Sequence, residues 1–234
     1  MLKIKSLYKI YAGKKIGEFN FELLDNQTVV IIGKSGAGKS TLIKLLTGVV
    51  KKDGGEVLLN NQNLTKKDFT YISQIGTLFN HLTIKDNLYL TYQGAEEEII
   101  KVLAEVNLNS SFLNKYPFEL SGGERQRIDL VRAIIAKTKM IILDEAFSAL
   151  DTKTKDDIYE VLKKLRKNHN LLILIITHDL DEALYLGDKL LILAAGQIVF
   201  NDKALNILKN DNQYITDLIS ASRLQRLRKV YLDE

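Results

Sequence analysis

The sequence predicts an α/β fold built around a mostly parallel sheet, and three apolar runs are the main observation. Val29–Ile32, Met140–Leu143 and Leu171–Ile176 are rich in aliphatic and β-branched residues and lack polar alternation. This pattern is typical of strands that are buried on both faces of a parallel sheet. Helical patterns lie between the runs, so we expect helical crossover connections between the strands.

Antiparallel strands are expected beside this sheet. Residues from about 2 to 24 alternate between apolar and polar side chains more than the three runs do. Gly54–Leu59 also has strand character, and the pair Asn60-Asn61 that follows it favours a tight turn. We therefore predict an antiparallel side sheet.

Residues from about 76 to 137 differ from the rest of the chain. Apolar side chains recur there at helical spacing, as at Ile99, Leu103 and Val106, and the single proline, Pro117, lies among them. We interpret the region as a helical subdomain inserted into a single domain. The predicted parts are a catalytic core at about 1–75 and 138–200, the helical subdomain at about 76–137 and a C-terminal helical tail at about 201–234.

The tail carries apolar residues at helical spacing, and we expect it to pack on the core. These residues are Leu205, Leu208, Ile215, Leu218, Ile219, Leu224 and Leu227. A basic cluster, Arg223–Lys229, is expected to be solvated or to lie near lipid headgroups.

The composition narrows the function classes. The 234 residues are 46% hydrophobic and 26% charged, which is ordinary for a globular protein, and the absence of cysteine excludes thiolate catalysis and cysteine-based zinc sites. The net charge of +4 is spread along the chain, so we expect no nucleic-acid partner. The longest apolar run is far shorter than the roughly 18 residues that cross a bilayer. No apolar signal core follows Met1, so any membrane role is expected to come through a partner.

A glycine-rich loop follows the first apolar run and precedes an amphipathic helix, Thr41–Leu46, which matches the phosphate-binding pattern G-x-x-x-x-G-K-[S/T] in its proper context. Glycines let backbone N–H groups approach phosphates, and the helix N-terminus adds a positive end. The residues expected to bind ATP here are Gly33, Lys34, Ser35, Gly36, Ala37, Gly38, Lys39, Ser40 and Thr41. We expect Lys39 to reach the β- and γ-phosphates and the Ser40 hydroxyl to bind Mg²⁺. The alternative, a turn with a solvated lysine, is disfavoured by the flanking strand and helix.

Two carboxylates, Asp144 and Glu145, end the second apolar run. Ligands of open α/β sheets bind at the carboxyl ends of the strands. We expect Asp144 to hold Mg²⁺ through a water molecule and Glu145 to polarise the attacking water. Solvated acids at the end of a strand are the alternative, and the phosphate loop in the same chain favours the catalytic interpretation.

A third segment selects one family among the proteins that have such loops. Leu120–Arg127 reads Leu-Ser-Gly-Gly-Glu-Arg-Gln-Arg and precedes a helical run, Ile128–Ala136. A serine and two glycines that open a helix form an anion-binding nest, and Ser121 with Glu124 also fits a capping box. The segment resembles the LSGGQ signature of the ABC ATPases, with Glu124 in place of glutamine. The resemblance covers the chain from about Leu2 to Ile219.

The resemblance implies roles for further residues. Gln74 matches the glutamine that binds Mg²⁺ and links the site to the membrane partner. His178 matches the histidine that contacts the γ-phosphate, so Gln74 and His178 join Glu145 as expected catalytic residues. Tyr11 matches the aromatic residue that stacks on adenine, with Tyr8 as the alternative. Asp151 matches an aspartate at the dimer interface.

The resemblance also implies partners. ABC ATPases sandwich ATP between two subunits, which for this chain would be two copies or a copy and a paralogue. The residues expected to contact ATP from the second subunit are Ser121, Gly122, Gly123 and Glu124. A membrane permease would dock near Phe79–Asn87, and a substrate-binding protein or domain would act indirectly. The chain is therefore expected at the cytoplasmic face of the cell membrane.

Within this family the chain resembles importers of betaine-type quaternary amines. The similar segments include Gln74–Ile84 and His178–Leu184, whereas Ser148 stands where that branch usually has glycine. An amino-acid importer, an exporter and a lipid-extraction system remain alternatives with the same motifs. A soluble ATPase acting on DNA or ribosomes is disfavoured, because those proteins typically carry long coiled-coil insertions or two cassettes in one chain.

Overall fold

The computed structural model describes residues 1–220 and 222. The described strands are β1 (Leu2–Tyr11), β2 (Lys14–Leu23), β3 (Thr28–Ile32), β4 (Gly54–Leu59), β5 (Gln62–Asn63), β6 (Phe69–Ser73), β7 (Met140–Asp144), β8 (Leu172–Ile176), β9 (Lys189–Ala194) and β10 (Gln197–Lys203). The helices are α1 (Lys39–Leu46), α2 (Ile84–Tyr89), α3 (Glu96–Glu105), α4 (Gly122–Ile135), α5 (Thr152–His169), α6 (Leu180–Leu186) and α7 (Gln213–Ser220). Short 3₁₀ segments occur at Ser110–Asn114, Pro117–Glu119 and Ala204–Lys209.

The chain forms two compact units. Unit 1 comprises residues 1–66 and the described part of the chain from residue 172 onward, and unit 2 comprises residues 67–171. The division into core, helical subdomain and tail that we drew from the sequence stays a prediction.

Unit 1 contains the predicted antiparallel strands and the buried parallel ones. β1 pairs antiparallel with both β2 and β4, in the order β2-β1-β4-β5. β3 lies between β8 and β9 and is parallel to both, and β10 pairs antiparallel with β9. Every residue of β3 and β8 is buried, as their continuous apolar sequences predicted.

Unit 2 combines a parallel strand pair with helices. β6 and β7 are parallel, with Ser73 opposite Asp144. α2, α3 and α4 lie within residues 76–137, where the sequence indicated helices. Their buried residues include Leu88, Leu103 and Ile128, which follow the apolar spacing of each helix. The α/β fold with parallel strands is therefore confirmed in both units.

The predicted packing of the tail is confirmed for part of its apolar residues. Leu208, Ile215 and Ile219 are buried in unit 1, but Leu205 is 53% exposed. The prediction for Leu205 was wrong, because Ala204, Ile207 and Leu208 form the buried side of the 3₁₀ segment Ala204–Lys209 and Leu205 lies outside it. Leu224, Leu227 and the Arg223–Lys229 cluster lie outside the described residues. Within residues 1–220 and 222, no helix combines the length and apolar character needed to cross a membrane.

Candidate functional site

The phosphate loop joins β3 to α1 in unit 1, and its glycines meet two different needs. Gly36 and Gly38 have left-handed backbones, with φ of 78° and 104°. A side chain at Gly33 would place its Cβ 2.6 Å from the Leu193 carbonyl oxygen. Gly36 and Gly38 are needed for the backbone conformation, because residues with a Cβ rarely adopt such φ values. Gly33 is needed for a steric reason, because the loop begins in direct contact with β9.

A turn from another part of unit 1 supports the loop. The N–H of Gly196, between β9 and β10, donates to the Ala37 carbonyl at 3.0 Å. The Gly196 carbonyl accepts from the Gly17 N–H at 2.9 Å, which attaches the turn to β2. Gly196 has a φ of 82°, another backbone that favours glycine. The loop is therefore held from outside as well as by its own turns.

Tyr214 of α7 is a second support, and the sequence did not reveal it. Its hydroxyl accepts from the Lys34 N–H at 3.2 Å and lies 3.4 Å from the Leu193 carbonyl, to which it donates. The Lys34 ammonium lies 5.2 Å from the centroid of the Tyr214 ring, within cation–π range. The two residues are separated by 180 positions. No local pattern could have paired them.

Lys39 and Ser40 open α1, next to the loop that the glycines shape. The Lys39 ammonium donates to the Gly33 carbonyl and, at 3.4 Å, to the Lys34 carbonyl, so its side chain folds back over the loop. Ser40 is exposed. Backbone N–H groups, a lysine and a helix N-terminus together suit a phosphate group.

The other predicted residues of unit 1 are accessible. Tyr11 ends β1 and is 40% exposed. The ring of Tyr8 instead packs against Gly54 and has the Lys15 ammonium 4.3 Å from its centroid, which favours Tyr11 as the stacking residue. His178 is exposed in the turn between β8 and α6. Asp179 caps α6 beside it by accepting from the Asp181 and Glu182 N–H groups, which fixes this turn.

The acid pair lies at the end of β7 in unit 2. Asp144 Oδ2 accepts a 2.7 Å hydrogen bond from the hydroxyl of Tyr71 on β6. Burial, together with this hydrogen bond, raises the pKa of Tyr71 well above its usual range, so the phenol stays a neutral donor. Tyr71 is a residue that the sequence analysis missed. The strand pairing of β6 with β7 was the signal needed to find it.

Glu145 adopts an unusual backbone. Its φ is 49°, a left-handed value that is uncommon for residues other than glycine. The carbonyl of Glu145 accepts from the Ser148 N–H at 3.2 Å and from the Ser148 hydroxyl at 2.8 Å. Ser148 therefore stabilises the turn at Glu145. This is the position at which the betaine-type branch usually has glycine.

Gln74 directly follows β6 and is exposed. The chain after it is fixed to α4 at Thr77. The Thr77 hydroxyl donates to Asp129, while Arg132 donates to the Thr77 carbonyl at 2.9 Å and lies 3.1 Å from Asp129. Burial raises the pKa of Asp129, against the opposing effect of Arg132. Polar side chains of α4 therefore fix the position of Thr77, three residues after Gln74.

The signature segment opens α4 as the capping box predicted. The Ser121 hydroxyl accepts from the Glu124 N–H at 3.3 Å, and Glu124 Oε2 accepts from the Ser121 N–H at 2.8 Å. Burial works to raise the pKa of Glu124, but the hydrogen bonds from Ser121 outweigh it and lower the pKa. A Cβ on Gly123 would lie 2.5 Å from the Thr154 methyl, so α4 and α5 approach closely at this point. Gly122 precedes it in the first turn, and Asp151 caps α5.

The predicted ligands for Mg²⁺ are Ser40 in unit 1 and Gln74 and Asp144 in unit 2. All three offer hard oxygen atoms, which are the donors that Mg²⁺ prefers alongside phosphate oxygens. Among the described residues there is no cluster of three or more histidine, aspartate or glutamate side chains that could hold a metal by itself. Each unit, taken by itself, therefore offers oxygen donors of the kind that Mg²⁺ takes when phosphate oxygens are among its ligands.

Comparison with known proteins gives consistent matches. A profile of the family described as ABC transporter matches residues 16–148. The glycine betaine/carnitine/choline transport ATP-binding protein of Bacillus subtilis is 33% identical over 97% of this chain and 64% of that protein. The metal-staphylopine import system ATP-binding protein of Staphylococcus aureus is 35% identical over 94% of this chain and 98% of that protein. The chain thus spans less than two thirds of the length of the Bacillus subtilis relative.

A solved structure extends the comparison to three dimensions. A dimeric ATP-binding cassette in a post-hydrolysis state, bound to ADP and phosphate, matches with a TM-score of 0.74 and 28% identity. The match covers 87% of this chain and 99% of that chain.

A matched pair of glycine substitutions tests the loop. Gly36 and Gly48 both have left-handed backbones with open space around them, but only Gly36 lies in the phosphate loop. Alanine at either position is expected to cost about 1–2 kcal/mol of folding stability. Only Gly36→Ala is expected to weaken binding of a fluorescent ATP analogue, by about tenfold, because relief of the strain would turn N–H groups out of the loop. Equal binding by both variants would contradict the assigned role of the loop.

Proposed function

The chain belongs to the ABC transporter family, and we propose that it is the ATP-hydrolysing nucleotide-binding subunit of an importer. The observation that carries the proposal is the phosphate loop, with left-handed backbones at Gly36 and Gly38 and the Gly196 turn behind it. Such a loop binds phosphates through its backbone, which suits a nucleoside triphosphate.

The chemistry that we propose follows from the residues around the loop. Lys39 releases its contacts with the loop carbonyls and binds the β- and γ-phosphates. Mg²⁺, when bound, supplies neutralising charge at the phosphate oxygens, and Ser40, Gln74 and Asp144 are the residues that would hold it. Glu145 accepts the proton of the attacking water, and its constrained backbone limits where the carboxylate can reach.

We further propose that two subunits complete each ATP site. The first turn of α4, with an exposed Ser121, presents backbone N–H groups of the kind that bind anions. Glu124 is already engaged by Ser121, so its part in the site is to shape this turn. In this proposal Ser121, Gly122 and Gly123 contact the ATP held by the loop of the other subunit.

The surface proposed for the permease lies in unit 2, in the segment Phe79–Asn87. Asn87 is fully buried, and its amide donates to the carbonyls of Phe79, Leu82 and Thr83 at 2.9–3.2 Å. Its carbonyl accepts from the Phe79 N–H at 2.7 Å. One side chain therefore sets the shape of the segment while Phe79 remains 51% exposed. Ile75, nearby in sequence, is 97% exposed.

An exposed aromatic side chain on a segment whose backbone is held by a buried asparagine favours a protein partner. A permease that docks here would hold the chain at the cytoplasmic face of the membrane. For the cargo we propose a betaine- or choline-type quaternary amine, supported by the name of the Bacillus subtilis relative. The Staphylococcus aureus relative, at comparable identity, is named for import of metal-staphylopine, so the uptake experiment below includes that cargo.

Substitution of the proposed general base tests the proposed ATP hydrolysis. Glu145→Gln is expected to retain ATP binding but to lower turnover by about a hundredfold or more, since it removes general-base catalysis. ATP is then expected to hold two subunits together. The measurements are phosphate release and the elution volume in gel filtration with Mg²⁺ and ATP. The control is Glu160→Gln, the same change at an exposed carboxylate of α5. Turnover by Glu145→Gln close to that of wild type would exclude Glu145 as the base.

Truncation of the exposed aromatic side chain tests the docking surface. Phe79→Ala is expected to reduce recovery of a polytopic membrane protein with the chain after detergent extraction, because a buried aromatic anchor is worth about 2 kcal/mol or more at an interface. ATP binding is expected to be unchanged. Val49→Ala, which shortens a 73% exposed apolar side chain of unit 1, is the control. Equal recovery with both variants, or recovery of ribosomes or DNA instead, would contradict the docking proposal.

Uptake measurements test the cargo. The chain and its co-purified permease in proteoliposomes are expected to accumulate labelled choline or glycine betaine when ATP is supplied on the side of the chain. Lys39→Ala is expected to abolish uptake, because the phosphates lose their cation. Uptake of a metal-staphylopine complex without uptake of either amine would overturn the cargo class and leave the import function standing.

A further inference from the structure

The hydrogen bond between Tyr71 and Asp144 leaves one carboxylate oxygen of Asp144 engaged before any metal arrives. Tyr71 donates to Asp144 Oδ2 at 2.7 Å, and both side chains are partly buried in unit 2. The hydrogen bond uses one of the two lone pairs of Oδ2 and places the hydroxyl beside that oxygen, whereas Oδ1 does not take part in it. This inference rests on the proposed function, in which Asp144 is a Mg²⁺ residue.

The strand pairing explains why this contact forms. Ser73 lies opposite Asp144 in the parallel pair, and Tyr71 lies opposite Ile142. Tyr71 and Ser73 are two residues apart and so share one face of β6, as Ile142 and Asp144 share one face of β7. Tyr71 is therefore the diagonal neighbour of Asp144, at a separation that a long aromatic side chain can span.

The consequence concerns the kind of cation that the site accepts. Mg²⁺ is small, requires near-octahedral geometry and takes one oxygen from each carboxylate or a carboxylate-bound water. Ca²⁺ is larger, takes six to eight oxygens and commonly binds a carboxylate through both of them. We propose that Tyr71 is a specificity-determining residue, which discriminates against Ca²⁺ because its hydroxyl takes one lone pair of Asp144 Oδ2 and so weakens that oxygen as a second ligand. Removal of the hydroxyl frees that oxygen and favours the larger cation.

The test is the ratio of apparent affinities for two cations in nucleotide binding. A fluorescent ATP analogue and the full chain are kept at fixed concentrations, and Mg²⁺ or Ca²⁺ is titrated into the mixture. The half-saturating concentrations of the two cations are then compared. Tyr71→Phe is expected to shift the Ca²⁺-to-Mg²⁺ ratio toward Ca²⁺ by about five- to tenfold, which is less than the full effect of a hydrogen bond to a charged group because only the difference between the two cations is measured. Tyr92→Phe is the matched control, because it removes a hydroxyl that donates to Glu98 elsewhere in unit 2.

The outcomes separate the proposal from a general packing role. An equal change in the affinity for both cations, or no change, would overturn it, since a structural tyrosine affects the two cations alike. Tyr71→Met, which also lacks the hydroxyl, replaces Tyr71→Phe if thermal melting shows that the latter is unfolded.

Asp144→Asn separates failure of this inference from failure of the proposed function. The substitution is expected to weaken the dependence of nucleotide binding on both cations. If Asp144→Asn responds to both cations as wild type does, the assignment of Asp144 to the metal fails, and the role of Tyr71 fails with it. If Asp144→Asn is defective while Tyr71→Phe keeps the wild-type ratio, only the role of Tyr71 is overturned.

Discussion

The conformation of the phosphate loop is the constraint on which the proposed activity depends. Backbone N–H groups can converge on a phosphate only if the chain turns through left-handed conformations, and Gly36 and Gly38 provide them. Within the loop, the Lys39 ammonium donates to the Gly33 and Lys34 carbonyls, and further support comes from the surroundings. The Gly196 turn and the Tyr214 hydroxyl supply that support through hydrogen bonds to the Ala37 carbonyl and the Lys34 N–H.

In unit 2, hydrogen bonds from neighbouring side chains likewise hold the expected site residues in place. Tyr71 holds Asp144, Ser148 holds the turn at Glu145, and Arg132 with Asp129 holds Thr77. The hydroxyls of Tyr71 and Thr77 donate to the carboxylates of Asp144 and Asp129. Hydrogen bonds to charged groups are stronger than those between neutral groups. The Asp144 carboxylate, the backbone of Glu145 and the chain after Gln74 are therefore each held by a neighbouring side chain.

The agreement between sequence and structure is greatest where the pattern is local. Continuous apolar sequence predicted buried strands at Val29–Ile32 and Leu171–Ile176, because this pattern is typical of strands buried on both faces of a sheet. The two strands pair in parallel. Ser121 and Glu124 predicted a capping box because both partners lie within one turn of α4. Leu205 is the counterexample. Its apolar character predicted burial, but Ala204, Ile207 and Leu208 fill the buried side of its 3₁₀ segment and Leu205 is exposed.

The sequence by itself determined the α/β class, the phosphate loop and the family, because each follows from residues that are adjacent or spaced by one structural period. Only the tertiary structure identified Tyr71, Tyr214 and Gly196 as neighbours of the expected site residues. Tyr71 is 73 positions from Asp144, and Tyr214 is 180 from Lys34. Such contacts depend on strand register and on where an element packs, and no short-range pattern in the chain encodes either. The positioning of the site is therefore a property of the fold, although its chemical groups can be read from the sequence.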